Sequence, residues 1–332
     1  MCGRDITVYS IAVIGGGIGG LTAALALLQA GHDVHVHEQA SALNEVGAGI
    51  QISPNASKVL HGLGLAAPLA AAGVSPTAWH QRRWDDGRTL IRTPLAGAME
   101  DAFAAPHLQI HRADLLRMLA AALPSGRLHM DRAFAGASDH GDRVEVRFAD
   151  GACTAADILV GADGIHSTVR QDLFGPAQPN FTGSACYRGL APADRIAHLD
   201  IPVEAQVWMG PGRHFVHYYV RGGALLNFVA VVNQDAWTAE SWTNKGDIAA
   251  ARADFAGWHP QIQGILNAVD ETFIWALFDR PPLPAWSRGR ATLLGDACHP
   301  MVPFMAQGAA QAIKDGATLA TLRNRQTPDR PS

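Results

Sequence analysis

The chain has 332 residues, 48% of them hydrophobic and 17% charged, with a formal net charge of −4. That is enough apolar material for a full core, and the even mixture of signs lacks the basic stripe that nucleic-acid binding requires. No apolar run reaches the ~18 residues that span a bilayer and no signal-type core precedes the first strand, so the expectation is a cytoplasmic protein without nucleic-acid or membrane partners. Cys2, Cys153, Cys186 and Cys298 lack paired C-x-x-C spacing. They suggest reduced thiols, with neither a disulfide framework nor a metal site.

In chain order, Ser10 to Ile14 reads as a strand, followed by a glycine cluster. Leu21, Ala24, Leu25 and Leu28 then repeat at helical spacing up to Gly31, and Val34 to Glu38 reads as a second strand. This is a βαβ start. Helical patterns recur near Ala56 to Leu63 and Ala113 to Ala122, and Arg143 to Phe148 alternates before a turn at Asp150-Gly151 and a buried strand, Asp157 to Val160. From Cys186 to Asn233 the pattern changes to alternating strands joined by glycine turns at 210–212 and 221–223, as in an antiparallel meander. After Pro281, Pro282 and Pro284 a short strand, Ala291 to Leu294, leads to a helix near Gln307 to Leu322. The expected division is a discontinuous cofactor domain over 1–75, 105–180 and 285–322, an inserted domain over 76–104 and 181–284, and a disordered tail over 323–332.

Gly15-Gly16-Gly17-Ile18-Gly19-Gly20 fits G-x-G-x-x-G between strand and helix, where missing Cβ atoms let the backbone approach a pyrophosphate at the positive helix end. Glu38 ends the next strand, where a carboxylate accepts the ribose hydroxyls of an adenosine. Gly15, Gly17, Gly20 and Glu38 are therefore expected at a dinucleotide. Two later segments each follow a buried strand: Gly161-Ala162-Asp163-Gly164 and Gly295-Asp296-Ala297-Cys298-His299-Pro300. Gly308 and Ala309 open the last helix, whose N-terminus stabilises negative charge such as that of a bound cofactor. On the strand from His214 to Val220, alternation places His214, Val216 and Tyr218 on one face and Phe215, His217 and Tyr219 on the other.

With these motifs in this order, and with His111-Arg112-Ala113-Asp114-Leu115 and Gly47-Ala48-Gly49-Ile50-Gln51 between them, the chain resembles the flavoprotein aromatic hydroxylases over nearly its whole length. The resemblance implies an α/β fold: a Rossmann-type FAD-binding domain with an inserted antiparallel-sheet substrate domain, like p-hydroxybenzoate hydroxylase. It implies that FAD is bound by Arg112, Asp163, Asp296 and Pro300 besides the glycines, and that NADH or NADPH visits as a transient co-substrate. The implied reaction is hydroxylation of a small phenolic or N-heteroaromatic carboxylic acid by O2 through a flavin C4a-hydroperoxide, with or without decarboxylation. His214, Tyr218 and His299 are the candidate catalytic residues, and Gln51 and Arg188 the candidate substrate contacts; a salt bridge is the other reading of Arg188. A flavin oxidase or epoxidase acting on a non-aromatic substrate, and an FAD-binding protein without activity, are the alternatives.

The sequence departs from the family at Lys314-Asp315-Gly316, where Glu-Asp is usual, and at Asn44-Glu45, where many members carry Arg. Family members also continue through C-terminal helices that cover the active site and often join subunits. This sequence ends soon after Leu322, which bears on activity and on a homodimer rather than on the fold.

Overall fold

The computed structural model describes residues 7–43, 48–235 and 245–323. Of the expected tail over 323–332, Arg323 ends the last helix and 324–332 lie outside these residues, as do Cys2 and the Asn44-Glu45 departure.

One half is built on a six-stranded sheet in the order Ser287–Arg288, Ala291–Leu293, Ile158–Gly161, Ser10–Ile14, Asp33–His37, Leu128–His129. All neighbours are parallel except the first pair. Strands covered on both faces read as continuous apolar runs, and Ser10–Ile14 shows why. Ile11 and Val13 pack with the helices Ile18–Gln29, Arg112–Ala122 and Gly308–Arg323, whereas Ala12 and Ile14 pack under the ribbon Phe134–Asp139, Val144–Phe148 and Cys153–Ala156. The helices Ile18–Gln29 and Gly308–Arg323 touch closely: a Cβ on Gly316 would lie 2.8 Å from the Ala23 nitrogen. Glycine in place of a side chain thus sets their spacing.

The second sheet has eight strands, in the order Lys245–Gly246, Thr272–Asp279, Asn180–Pro192, Leu225–Asn233, Arg213–Val220, Ala205–Gly210, Ala78–Arg83, Thr89–Pro94. It extends the expected meander at both edges. One pairing, Ala205–Gly210 with Ala78–Arg83, is parallel, so the sheet is mixed rather than wholly antiparallel. Its rear face, with Phe215, Trp208 and Phe228, is covered by the helices Ile248–Asp254 and Pro260–Asn267. The front face turns toward the first half. Between the two lies a ribbon, Gly49–Ile52 paired antiparallel with Leu108–His111.

Cys186 and Cys298 are buried and Cys153 is exposed, all three as free thiols. Among the described residues, no helix is long and apolar enough to cross a membrane.

Candidate active site

The strand Ser10–Ile14 ends in Gly15, whose φ of +106° places it where side chains are strongly disfavoured. Its N–H donates to the His37 carbonyl at 2.8 Å. A Cβ here would stand 2.4 Å from the Ala162 carbonyl oxygen, and one on Gly20 would stand 2.0 Å from that of Gly15. Gly17 differs. It is the N-cap of Ile18–Gln29 without a capping side-chain bond, and a Cβ added to it would meet nothing within 4 Å. The first N–H groups of the helix therefore face open space at its positive end, which suits a pyrophosphate. Glu38 closes the turn: one carboxylate oxygen accepts the Gly16 N–H at 2.6 Å and the other the Ala40 N–H at 2.9 Å. Each oxygen keeps a further lone pair for a ribose hydroxyl. The glycines and this carboxylate fit the adenosine end of FAD.

Asp163 lies just beyond the strand Ile158–Gly161. Its carboxylate accepts from the Ser167 hydroxyl, from the Thr168 N–H at 2.7 Å and from the Val169 N–H at 3.1 Å. It thereby folds the loop into the helix Thr168–Phe174.

The segment expected at the flavin end turns at Gly295, at φ +60°, whose N–H donates to Asp315 at 2.9 Å. Asp296 reaches solvent through the cleft, yet protein crowds it on most sides; that desolvation raises its pKa against the pull of Arg112 and His299. Arg112 begins its helix by donating its N–H to the Ala48 carbonyl at 2.8 Å. Pro300 is half-buried in the loop that runs to Gly308 and Ala309 at the start of the last helix. A Cβ on Gly308 would meet only Met301, at 3.8 Å. A carboxylate, a guanidinium and a bare helix start around one cleft fit the flavin end of FAD.

His299 is tied elsewhere. Its Nε2 stands 2.6 Å from an Asp315 oxygen, and the Asp315 bond, with a further one to Cys298, raises its pKa to about 10. Cys298, His299 and Asp315 hold metal-ligating atoms within 4.8 Å of one another, and the ion pair already engages two of them.

The front face of the large sheet forms the other wall. Strand register aligns Cys186, Val231 and His214 in one row, Arg188, Val229 and Val216 in the next, and Leu190, Asn227 and Tyr218 in a third. His214 is half-buried and burial lowers its pKa; Tyr218 is 4% exposed and burial raises its pKa. The Arg188 guanidinium lies over the Trp275 ring, 4.3 Å from its centroid. The loop after Pro300 comes down on this face: Val302 packs with Cys186, Val231 and Trp275, and Phe304 meets His214 edge-on with centroids 5.7 Å apart. The loop after Pro300 and the His214 row are thus brought together. Gln51, on the intervening ribbon, is buried and its carboxamide oxygen lies 3.2 Å from His107 Nε2. His107 is held neutral by burial, with its pKa lowered to about 4.

Sequence reasoning missed Trp275, Asn227 and Gln109. The Asn227 oxygen accepts the Gly49 N–H at 2.7 Å and joins ribbon to sheet. The alternation Leu108-Gln109-Ile110-His111 was the available signal for a polar residue turned away from the core.

A two-layer flavin half with a mixed sheet laid across its cleft defines a class of FAD enzyme, and the FAD binding domain family matches residues 8–209 and 228–322. The chain belongs to that family and is an FAD-dependent monooxygenase. It is 44% identical over 312 residues to the 3-amino-4-hydroxybenzoate 2-monooxygenase PtnB3 of Streptomyces platensis, covering 94% of this chain and 78% of that protein. It is 40% identical to the 6-hydroxynicotinate 3-monooxygenase of Pseudomonas fluorescens, covering 93% and 81%. The structure superposes on HpxO of Klebsiella pneumoniae, complexed with FAD and uric acid, with a TM-score of 0.85 at 28% identity over 96% of this chain and 80% of that one.

Proposed function

We propose that the protein hydroxylates a small aromatic carboxylic acid, phenolic or a hydroxylated N-heterocycle, at the expense of NADH or NADPH and O2. The observation that carries this reading is the front sheet face: a partly buried histidine, a buried tyrosine and an arginine, separated by valines, under the loop that follows Asp296 and Pro300. Relatives named for 3-amino-4-hydroxybenzoate and 6-hydroxynicotinate support the same substrate class.

When bound, FAD would supply the redox chemistry, that is, acceptance of reducing equivalents from the nicotinamide and activation of O2 for hydroxylation of an electron-rich ring carbon. The chain's own residues hold and prepare the reactants. Gly15, Gly17, Gly20 and Glu38 hold the adenosine diphosphate part. Arg112, Asp296 and the start of the last helix at Gly308 and Ala309 hold the flavin end, with Pro300 shaping the loop. Asp163 acts through the loop it folds. The apolar slot of Val216, Val229 and Val231 excludes water from the ring, and Arg188 supplies a cation for the substrate carboxylate.

Deprotonating a ring hydroxyl raises the electron density at the carbon to be attacked. His214 is the base in this reading, because its lowered pKa keeps the imidazole neutral and able to accept a proton near pH 7. His299 does not serve, since Asp315 keeps it protonated there. Tyr218, held as the neutral phenol, donates to the substrate, and Gln51 lines the slot's ribbon side. A reaction that draws on NADH or NADPH also fits a cytoplasmic enzyme.

The test is a panel of hydroxybenzoates, aminohydroxybenzoates and hydroxynicotinates, scored for stimulated NAD(P)H oxidation and, under ¹⁸O₂, for labelled hydroxylated product. Stimulation with one labelled oxygen in the product supports the reading. Stoichiometric peroxide without hydroxylated product across the panel would replace it with an oxidase.

A further inference from the structure

Gln109 has no place in the cofactor contacts described above. It lies on Leu108–His111, where Leu108 and Ile110 enter the core of the flavin half. Alternation therefore turns Gln109 and His111 the other way, toward the large sheet. His111 identifies that side: it reaches Arg221, at the end of Arg213–Val220, at 3.4 Å. Across the ribbon, Gln109 pairs with Gln51 and His111 with Gly49. Gly49 is packed so closely on the sheet that a Cβ there would be 2.7 Å from both the Tyr218 ring and the Asn227 carboxamide. Gln109 thus lies one same-face step along the ribbon from the contact with Tyr218.

Its side chain is 0% exposed, and neither carboxamide atom has a hydrogen-bond partner among the described residues. The Asn227 nitrogen, on a residue 1% exposed, is in the same condition. Buried polar groups are nearly always satisfied, so a carboxamide with both ends open here calls for a bound partner. A carboxamide offers one acceptor oxygen and a donor N–H₂ about one bond angle apart. Its complement is a donor and an acceptor on adjacent atoms of a flat edge. Two kinds of ring present that edge: a hydroxylated N-heterocycle in its lactam form, through ring N–H and C=O, and a ring with amino and hydroxyl groups on neighbouring carbons.

We propose that Gln109, backed by the Asn227 N–H₂, is a specificity-determining residue that recognises a paired donor and acceptor on the substrate ring. This deepens the aromatic-acid reading above and rests on it. A site built to hydrogen-bond a substrate group rejects the analogue lacking that group, because its own polar atoms are then left buried and unpaired. The enzyme should accordingly prefer 3-amino-4-hydroxybenzoate to 4-hydroxybenzoate, which keeps the phenol and carboxylate and lacks only the amino group.

The experiment compares kcat/KM of the holoenzyme and of Gln109→Met for these two acids, with 6-hydroxynicotinate as the lactam probe. Methionine keeps the length and volume and removes both polar ends. The expected result is a fall of roughly 10- to 100-fold in the preference for the paired-edge acids, carried mainly by KM, with FAD content unchanged. Gln109→Glu, which keeps the acceptor and loses the donor, should lower the same ratio and provides the reading if the methionine variant does not fold. An unchanged ratio in a folded variant would overturn the proposal, leaving Gln109 a structural residue around internal water. Failure of the parent enzyme to hydroxylate any of the three acids would instead count against the aromatic-acid reading itself.

Discussion

The His299 imidazole and the Asp315 carboxylate form an ion pair at 2.6 Å that fastens the turn carrying Asp296 to the last helix. The same Asp315 oxygen also accepts the Gly295 N–H, so one carboxylate fixes both the backbone and the side chain of the turn. The departure at Lys314-Asp315-Gly316 leaves this anchor in place.

A pH dependence follows. The folded-state pKa of His299 is about 10, above the unfolded value near 6.5, so the pair's contribution to stability is complete below pH 6.5 and is lost as pH rises through about 10. Asp315→Asn removes the charge and should cost about 1 to 3 kcal/mol at pH 7, since the pair is partly buried. Urea unfolding from pH 6 to 10.5 should show the gap between parent and variant narrowing across the alkaline end. A gap that stays constant with pH would mean that the histidine is not titrating against Asp315.

Gly17 and Gly20 belong to one motif but should fail differently. At Gly20 a methyl group would collide with the Gly15 carbonyl 2.0 Å away, so Gly20→Ala should lower the melting temperature of the apoprotein and of the FAD-loaded protein. At Gly17 the space is open, and Gly17→Ala should fold like the parent while losing FAD, because the methyl group occupies the approach to the helix N-terminus. Thermal unfolding of both apoproteins, beside FAD titration, separates the two effects. Equal melting temperatures for the two variants would count against this division.

Glu38→Ala should weaken FAD retention by about 1 to 3 kcal/mol, the cost of leaving ribose hydroxyls without an acceptor. The loss has a second part here, because the Gly16 and Ala40 N–H groups lose the carboxylate that orders the turn. Glu38→Gln keeps an acceptor oxygen and should fall between the two. Fluorescence recovery on dilution reads the affinity directly, and an alanine variant that binds as the parent does would place Glu38 outside the cofactor site.

The flavin half was legible because its strands are covered on both faces and its turns need glycine: Ser10–Ile14, Ile158–Gly161 and Ala291–Leu293 all lie within a residue or two of their expected positions. The front face of Arg213–Val220 was legible from alternation alone. The strands Ala78–Arg83 and Thr89–Pro94 were not. Their sequences, Ala-Trp-His-Gln-Arg-Arg and Thr-Leu-Ile-Arg-Thr-Pro, lie at a sheet edge, where the second is exposed throughout and lacks a polar-apolar contrast. Short helices such as Ile248–Asp254 owe their place to packing behind Phe215 and Phe255 rather than to a strong pattern of their own. Within the site, the pairing of His299 with Asp315 joins two separate elements, and spacing along the chain carries no trace of it.

His214 gives the most demanding prediction. It is the row partner of Val231 and Cys186, meets Phe304 edge-on, and sits where burial favours the neutral imidazole. If it takes the proton of the ring hydroxyl, His214→Ala should retain FAD and its reduction by nicotinamide while hydroxylation falls by roughly 10² to 10⁴, the usual contribution of a general base. The electrons should then appear as hydrogen peroxide, raising the ratio of NAD(P)H consumed to product formed. The lowered pKa adds a signature: hydroxylation by the parent should stay level through neutral pH and decline only below the ordinary histidine range, and this acid limb should vanish in the variant. Tyr218→Phe, which removes a donor and keeps the ring, should raise KM more than it lowers kcat. Stopped-flow reduction, oxygen uptake and product yield measured on the same preparations distinguish these outcomes. Parent-like coupling in His214→Ala would move the base away from this strand.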